Sequence, residues 1–296
     1  MAGSKGSDGV ESAGVDAAVR FLLSPSAAFV SGESVRVEQR GAAAVAAAGQ
    51  EEGCAVVTGA ARGIGQQIAF QLAESESSRF SSVLAVDQGS FGEGYALGSQ
   101  GKIRALQADV TDDAGLLGRL EAHVREHRAP IKALVLNAGI TRDGLFRKMT
   151  AAEFEQVLSV NLTSIVRLVE RLAEGRLLAD HARITLLSSI NGVSGAAGQT
   201  NYAMTKSALI GYARVQARLM GSRGITVNCV APGFIETAMT KAMSQQAYLF
   251  ASLTNALGQA GLPEDIANAV EFLSSPQAGG ISGQTLRVCG LHMTGR

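Results

Sequence analysis

Few folds are open to a chain that reads Cys54-Ala-Val-Val-Thr58, then Gly59-Ala-Ala-Arg-Gly63-Ile-Gly65, then Ile68, Ala69 and Leu72. A short apolar run that breaks into glycines and resumes at helical spacing is a strand, a tight turn and a helix. The glycines let the backbone turn sharply and approach a pyrophosphate closely. The helix start offers that anion unpaired N–H groups and the positive end of its dipole. Because the spacing is Gly-x-x-x-Gly-x-Gly rather than Gly-x-Gly-x-x-Gly, the strand-to-helix context carries the reading. Gly59, Arg62, Gly63, Ile64 and Gly65 are the first candidates for dinucleotide contact.

The same alternation continues downstream. Val83-Leu-Ala-Val-Asp87 is a buried strand ending in an acid where a carboxylate can bind both ribose hydroxyls of an adenosine. Such a carboxylate repels a 2′-phosphate, which favours NADH. Arg62 pulls toward NADPH, and Asp87 is weighted more heavily because an unpaired charge beside a phosphate is costly. Gln88 to Gly101 is glycine-rich and has no clear helical pattern where a crossover helix is expected. Ile103 to Gln107 reads as a third strand with Asp109 and Val110 at its end, Asp112 to Glu126 as a helix, and Ala133 to Leu136 as a fourth strand. Four βα units predict an α/β protein: a Rossmann-type, doubly wound parallel sheet in three α/β/α layers. Its ligand lies beyond the carboxyl ends of the strands, where Gly59, Asp87, Asp109 and Asn137 fall.

Ser188 to Lys206 holds residues suited to one reaction. Tyr202 and Lys206 are four apart in a segment that reads as a helix start, so they share a face. A phenol, ordinarily with a pKa of about 10, loses its proton more easily beside an ammonium. Ser189 closes the apolar run Ile184 to Leu187 and offers a neutral hydrogen bond to a carbonyl oxygen; Ser188 is the competing choice.

Other features bound the function. A formal net charge of +0 and the lack of a basic stripe argue against nucleic acid or an anionic membrane as the main partner. No apolar run reaches membrane-spanning length. Cys54, Cys229 and Cys289 are odd in number and far apart, which suits buried reduced thiols and a cytoplasmic protein, with an organelle matrix left open. His123 and His127 have metal-ligand spacing on a helix, but Glu121, Arg125, Glu126 and Arg128 surround them; a solvated face is the better reading, and no metal is expected.

The first fifty residues lie outside the main pattern. Residues 1–17 read as a flexible tail without a secretory signal. Residues 18–37 then match 269–288 without a gap, identical at eleven of twenty positions. Both copies read as a helix end, a Ser-Pro stop, a Ser-Gly turn and a short strand. The segment 18–40 is too small to be a domain and reads as a remnant of a second unit of the same kind. Residues 41–52 serve as an alanine-rich linker or short helix, and the main domain spans 53–296.

In order and spacing across that domain, Thr58-Gly-x-x-x-Gly-x-Gly65, Asn137-Ala-Gly139, Asn161 in Val160-Asn-Leu-Thr, Ser189, Tyr202-x-x-x-Lys206 and Pro232-Gly233 resemble the short-chain dehydrogenase/reductase family. Gly139-Ile-Thr-Arg-Asp143, Gly198-Gln-Thr-Asn-Tyr202 and Ala231-Pro-Gly-Phe-Ile-Glu-Thr237 resemble its 3-oxoacyl-[acyl-carrier-protein] reductases, and Leu286-Arg-Val-Cys-Gly290 resembles their high-molecular-weight, NADH-using branch. The resemblance implies that Tyr202 is a general acid, that Ser189 holds the carbonyl oxygen, and that Lys206 binds the nicotinamide ribose and lowers the Tyr202 pKa. It implies that Asn161 fixes a water in a proton relay and that Ile235 and Thr237 hold the nicotinamide carboxamide. Asn137, Ala138 and Gly139, with Pro232 and Gly233, complete the implied cofactor contacts.

The implied substrate is a 3-oxoacyl thioester of acyl carrier protein or CoA. Basic residues near the mouth would meet the acidic carrier: Arg223 stands at one such place, Asp180 replaces the other before the fifth strand, and Arg142, Arg147 and Lys148 are possible substitutes. An alcohol or sugar dehydrogenase of the same family, or a non-catalytic dinucleotide-binding protein, are the alternatives. Apolar residues on more than one face of Glu153–Glu174 and Asn201–Met220 predict a homo-oligomer, dimer or tetramer.

Overall fold

The computed structural model describes residues 13–38, 53–76, 80–92, 95 and 101–293. Strands β1 (Cys54–Thr58), β2 (Ser82–Asp87), β3 (Ile103–Gln107), β4 (Ile131–Leu136), β5 (Leu178–Leu187), β6 (Thr226–Pro232) and β7 (Thr285–Val288) form one sheet in the order β3-β2-β1-β4-β5-β6-β7. All six pairings are parallel. Helices α1 (Ala13–Leu22), α2 (Gly63–Glu74), α3 (Asp113–His127), α4 (Ala151–Leu158), α5 (Ser164–Glu174), α6 (Ile190–Ser194), α7 (Thr200–Leu219), α8 (Ala238–Lys241), α9 (Gln245–Ser252) and α10 (Pro263–Ser274) connect and cover it.

Helices on both faces explain why the strands read as unbroken apolar runs: every residue of β1 and of β6 is buried. Successive side chains of β1 point to opposite faces. Ala55 and Val57 join Ile68, Leu72, Ile266 and Val270 in one core. Cys54 and Val56 join Leu116, Leu120, Ile165, Leu168 and Leu209 in the other. The chain reverses its direction of travel across the sheet between β1 and β4, and the crevice beyond their carboxyl ends is where such a sheet binds ligands.

Three expectations change. His123 is not on a solvated face: it is buried on α3, with Nε2 3.2 Å from Ser82 Oγ and its ring 4.4 Å from that of His127. Burial, with His127 and Arg104 nearby, holds its pKa below the ordinary value. Among the described residues no three His, Cys, Asp or Glu side chains gather as metal ligands. The span 153–174 is not one α-helix, since a π-turn at Ser159–Thr163 separates α4 from α5. The boundary placed between residues 17 and 18 falls inside α1, which begins at Ala13, and residues 33–38 run without strand pairing.

The N-terminal unit lies on the rest of the chain, with Phe21 stacked on Phe272. Residues 41–52, and residues 93, 94 and 96–100 of the 88–101 stretch, are outside the described residues. Tyr95 is described: its hydroxyl donates to the Ala60 carbonyl, and Phe91 meets its ring edge-on. All three cysteines are buried and free. Among the described residues no helix is long and apolar enough to cross a membrane.

Candidate active site

The glycine turn is built where side chains have no room. Gly59 has φ +66°, and a Cβ on it would fall 2.8 Å from Ala138 Cα; one on Gly65 would fall 2.1 Å from the Gly59 carbonyl oxygen. Asn137 braces this turn from the end of β4. Its side-chain amide donates to the carbonyls of Thr58 and Gly59, while the N–H groups of Asn137 and Ala138 donate to Thr58 Oγ1. Residue 137 is therefore a strand-to-strand brace.

Helix α2 starts at Gly63 with no side-chain cap and no acid in its first turn. Its leading N–H groups are left for an anion. Opposite, Thr237 Cγ2 would lie 3.8 Å from a Cβ on Gly63, which brings the segment after Pro232 and Gly233 against the glycine turn. Gly233 N–H donates to the Val288 carbonyl at 2.9 Å. Ile235 is buried, and Thr237 caps α8 with Thr240.

Asp87, at the carboxyl end of β2, accepts hydrogen bonds from Ala61 N–H (2.9 Å) and Gly89 N–H (2.8 Å). Asp109, after β3, accepts from the N–H and the hydroxyl of Thr111, and Val110 is half-buried beside it. A cradle without side chains, an uncapped helix start and an acid at the next strand end fit an extended, anionic dinucleotide.

Around the corner, Ser189 leaves β5 as the N-cap of α6, accepting from Asn191 N–H, and its hydroxyl hydrogen-bonds Tyr202. Ser188 faces the other way and donates to the Lys206 carbonyl at 2.7 Å, so Ser189 alone of the two faces the tyrosine. Tyr202 and Lys206 share one face of α7, with Nζ 5.6 Å from the ring centroid and donating to the Leu187 carbonyl at 2.7 Å.

The electrostatics depart from expectation. Tyr202 is pushed above its ordinary pKa by burial, with the Asp143 carboxylate adding and the Ser189 hydrogen bond opposing. Burial lowers Lys206 to about 8. The tyrosine is therefore held protonated, with desolvation the largest influence on it.

Asn161, inside the π-turn, is fully buried. It accepts from Ile140 N–H at 2.8 Å and donates to the Ile140 carbonyl at 2.9 Å, also reaching Thr205 Oγ1. A Cβ on Gly139 would stand 3.4 Å from both Asn161 Oδ1 and Lys206 Nζ, so the loop after β4, the π-turn and the lysine meet at one point. A side-chain chain from Asp143 through Gln199 to Asn191 crosses beside Tyr202. Nothing in the local sequence around any of the three residues announces it.

Comparison with known proteins bears on this geometry. Residues 59–292 match a family model described as enoyl-(acyl carrier protein) reductase. The chain is 42% identical over 238 residues to the 3-oxoacyl-[acyl-carrier-protein] reductase FabG of Escherichia coli, covering 80% of this chain and 95% of that protein. It is 40% identical over 243 residues to its Pseudomonas aeruginosa counterpart, with the same coverage. The chain is a short-chain dehydrogenase/reductase. Nodulation protein G of a Rhizobium strain is 36% identical over 253 residues, again with 80% and 95% covered. A solved short-chain dehydrogenase/reductase from Serratia marcescens superposes with a TM-score of 0.74 at 32% identity, covering 82% of this chain and 98% of that one.

As a short-chain dehydrogenase/reductase it is an NAD(P)-dependent oxidoreductase that binds a nicotinamide dinucleotide. One expected feature moves away from the mouth. Asp180 lies within β5 near its start and pairs with Arg223 just before β6, Nε to Oδ1 2.8 Å, with a second guanidinium bond to the Leu178 carbonyl. That pair sits at the amino-terminal edge of the sheet, opposite Ser189. Arg142 is engaged with Gln156 and the Thr141 carbonyl.

Proposed function

We propose that this chain reduces a 3-oxoacyl thioester, carried on acyl carrier protein or CoA, to the 3-hydroxyacyl thioester, using NADH in preference to NADPH. The convergence of the Ser189 hydroxyl, the Tyr202 hydroxyl and the Lys206 amine beside a glycine turn carries this reading. The substrate class is supported by the 3-oxoacyl reductases among the relatives. Exposed Leu145 and Phe146, following Gly144, whose N–H donates to the Gly198 carbonyl, and exposed Val193 on α6 offer an apolar rim for an acyl group.

In this reading the amides of Gly59, Arg62, Gly63, Ile64 and Gly65 bind the pyrophosphate, and Asp87 binds the adenosine ribose. Asp109 and Val110 border the adenine. Asn137, Ala138 and Gly139 floor the slot, while Pro232, Gly233, Ile235 and Thr237 hold the carboxamide end. Lys206 binds the nicotinamide ribose hydroxyls. When bound, the dinucleotide supplies the hydride. Ser189 donates a hydrogen bond to the substrate carbonyl oxygen, and Tyr202, kept protonated by burial, delivers a proton to it. Lys206 returns a proton to Tyr202 through water; since both side-chain groups of Asn161 are spent on Ile140, Asn161 serves that path by holding the turn open. NADH preference rests on Asp87, whose charge opposes a 2′-phosphate. Exposed Val215 and Leu219 on α7 support a homo-oligomer built on the helix pair.

The test is the initial rate with acetoacetyl-CoA, NADH and NADPH, for the wild type and Tyr202→Phe, with crotonyl-CoA in parallel. An acetoacetyl-CoA rate that favours NADH and falls about 10²- to 10⁴-fold in Tyr202→Phe is expected. No turnover of acetoacetyl-CoA with either nucleotide overturns the proposal, and turnover of crotonyl-CoA alone replaces it with enoyl reduction.

A further inference from the structure

From the helix end through the glycine turn, the two copies of the internal repeat fold alike. Ser24 Oγ donates to the Phe21 carbonyl at 2.7 Å, and Ser275 Oγ to the Phe272 carbonyl at 2.8 Å. Each serine precedes a proline and a 3₁₀ turn, Pro25–Ala27 and Pro276–Gly280. Val30 N–H returns to the Ala27 carbonyl and Ile281 N–H to the Ala278 carbonyl, both at 2.9 Å. Gly32 and Gly283 then turn with φ of +67° and +73°.

The copies also touch, and their contacts are reciprocal. Glu33 corresponds in sequence to Gln284, and Arg36 to Arg287. Glu33 pairs with Arg287, while the Arg36 backbone exchanges hydrogen bonds with the Gln284 side chain. Phe21 lies face to face with its own counterpart Phe272, centroids 4.3 Å apart and planes 3° apart. Helix α1 packs on the 276–280 turn, and α10 packs on the 25–27 turn. Exchanging the copies maps this contact set onto itself, as in an isologous contact about a two-fold axis. The surface it covers adjoins β7, an edge strand of the sheet.

We propose that residues 13–38 are an internal stand-in for the α10–β7 unit of a second copy of this chain. They occupy in cis the two-fold contact that two copies would make through α10 and β7, and so close that edge to self-association. One substitution between the copies favours the internal partner. A second chain would set Gln284 against Arg287, whereas the stand-in sets Glu33 there, in an ion pair with both side chains largely buried. The stand-in is also covalently attached, so it competes at high effective concentration. An uncovered edge strand is a template for pairing, and covering it is how natural proteins prevent that.

The test uses the full chain with Phe21→Asp and Glu33→Arg together, followed by light scattering at tens of micromolar and by amide exchange. Gly290 N–H, which donates to the Phe29 carbonyl at 2.9 Å, reports whether the stand-in has left. Exchange there is expected to quicken at least tenfold and the molar mass to double relative to wild type. Adding a peptide of residues 13–38, or adding Phe272→Asp to the variant, is expected to restore the wild-type mass. Glu33→Gln, which gives the stand-in the residue of position 284, is the mild version and should make the mass concentration-dependent. Three results overturn the proposal: Gly290 exchange that does not change, fast exchange with the wild-type mass retained, or a mass increase that Phe272→Asp fails to reverse.

Discussion

Replacing Lys206 with methionine should make the protein more stable and far less active. Lys206 is 3% exposed, and burial lowers its pKa from 10.5 to about 8. Such a group binds its proton more weakly in the folded chain than in the unfolded one. Below about pH 8 it is charged in both states, and the folded state bears the whole penalty. Between about 8 and 10.5 the unfolded chain holds more protons, so stability rises with pH, and above 10.5 the penalty is gone. At 1.36 kcal/mol per pKa unit the penalty is about 3 kcal/mol at pH 7 and about 2 kcal/mol at pH 9.

The bond from Nζ to the Leu187 carbonyl gives back about 1 kcal/mol at either pH. Methionine is unbranched like lysine, one atom shorter, and close to it in helix propensity. Lys206→Met is therefore expected to stabilise by about 2 kcal/mol at pH 7 and about 1 kcal/mol at pH 9, from the difference of these terms. Urea unfolding of both proteins at both pH values, with m unchanged, measures this. A gap that does not shrink with pH, or a methionine variant less stable at pH 7, would refute the reasoning. The same variant should lose at least about 100-fold in kcat, the exchange of stability for function expected at an active site.

Gly65→Ala places a methyl group 2.1 Å from the Gly59 carbonyl oxygen and 2.5 Å from Asn137 Nδ2. The turn must open, so dinucleotide binding, read by fluorescence titration, is expected to weaken at least about tenfold, equivalent to 1.4 kcal/mol. Asp87→Asn keeps the shape and removes the charge; the ratio of kcat/KM for NADPH over NADH should rise at least about tenfold, since like-charge repulsion of a phosphate is worth that much. Asn161→Ala strands both polar groups of the Ile140 peptide, with an expected cost of about 2–4 kcal/mol in urea unfolding.

What could be read in advance was whatever local pattern encodes. Val83 to Asp87 and Cys54 to Thr58 announced themselves by apolar runs meeting turn residues, and Tyr202 with Lys206 by helical spacing. The rest depended on partners distant in sequence. His123 reads as solvated because its neighbours on α3 are charged, yet its own side chain turns inward to Ser82. Arg223 reads as a free cation until β5 brings Asp180 beside it. The direction of the Tyr202 pKa depends on how deeply the fold buries it, which no spacing reveals. Nor does spacing reveal the contact of Tyr95, whose hydroxyl donates to the Ala60 carbonyl, 35 residues away in sequence.

The π-turn at Ser159–Thr163 acts as a phase shift. A helix that ran on at 3.6 residues per turn could not keep aiming one stripe at two targets set at different angles. Before and within the turn the register delivers Val157 and Asn161 inward; past it the register delivers Ile165, Leu168 and Leu172 to the sheet. Winding the same residues at the regular pitch would rotate everything beyond the turn by about 100°. Either the clamp on Ile140 or the apolar stripe of α5 would then face water, so the wide turn is what lets one helix serve both the site and the core.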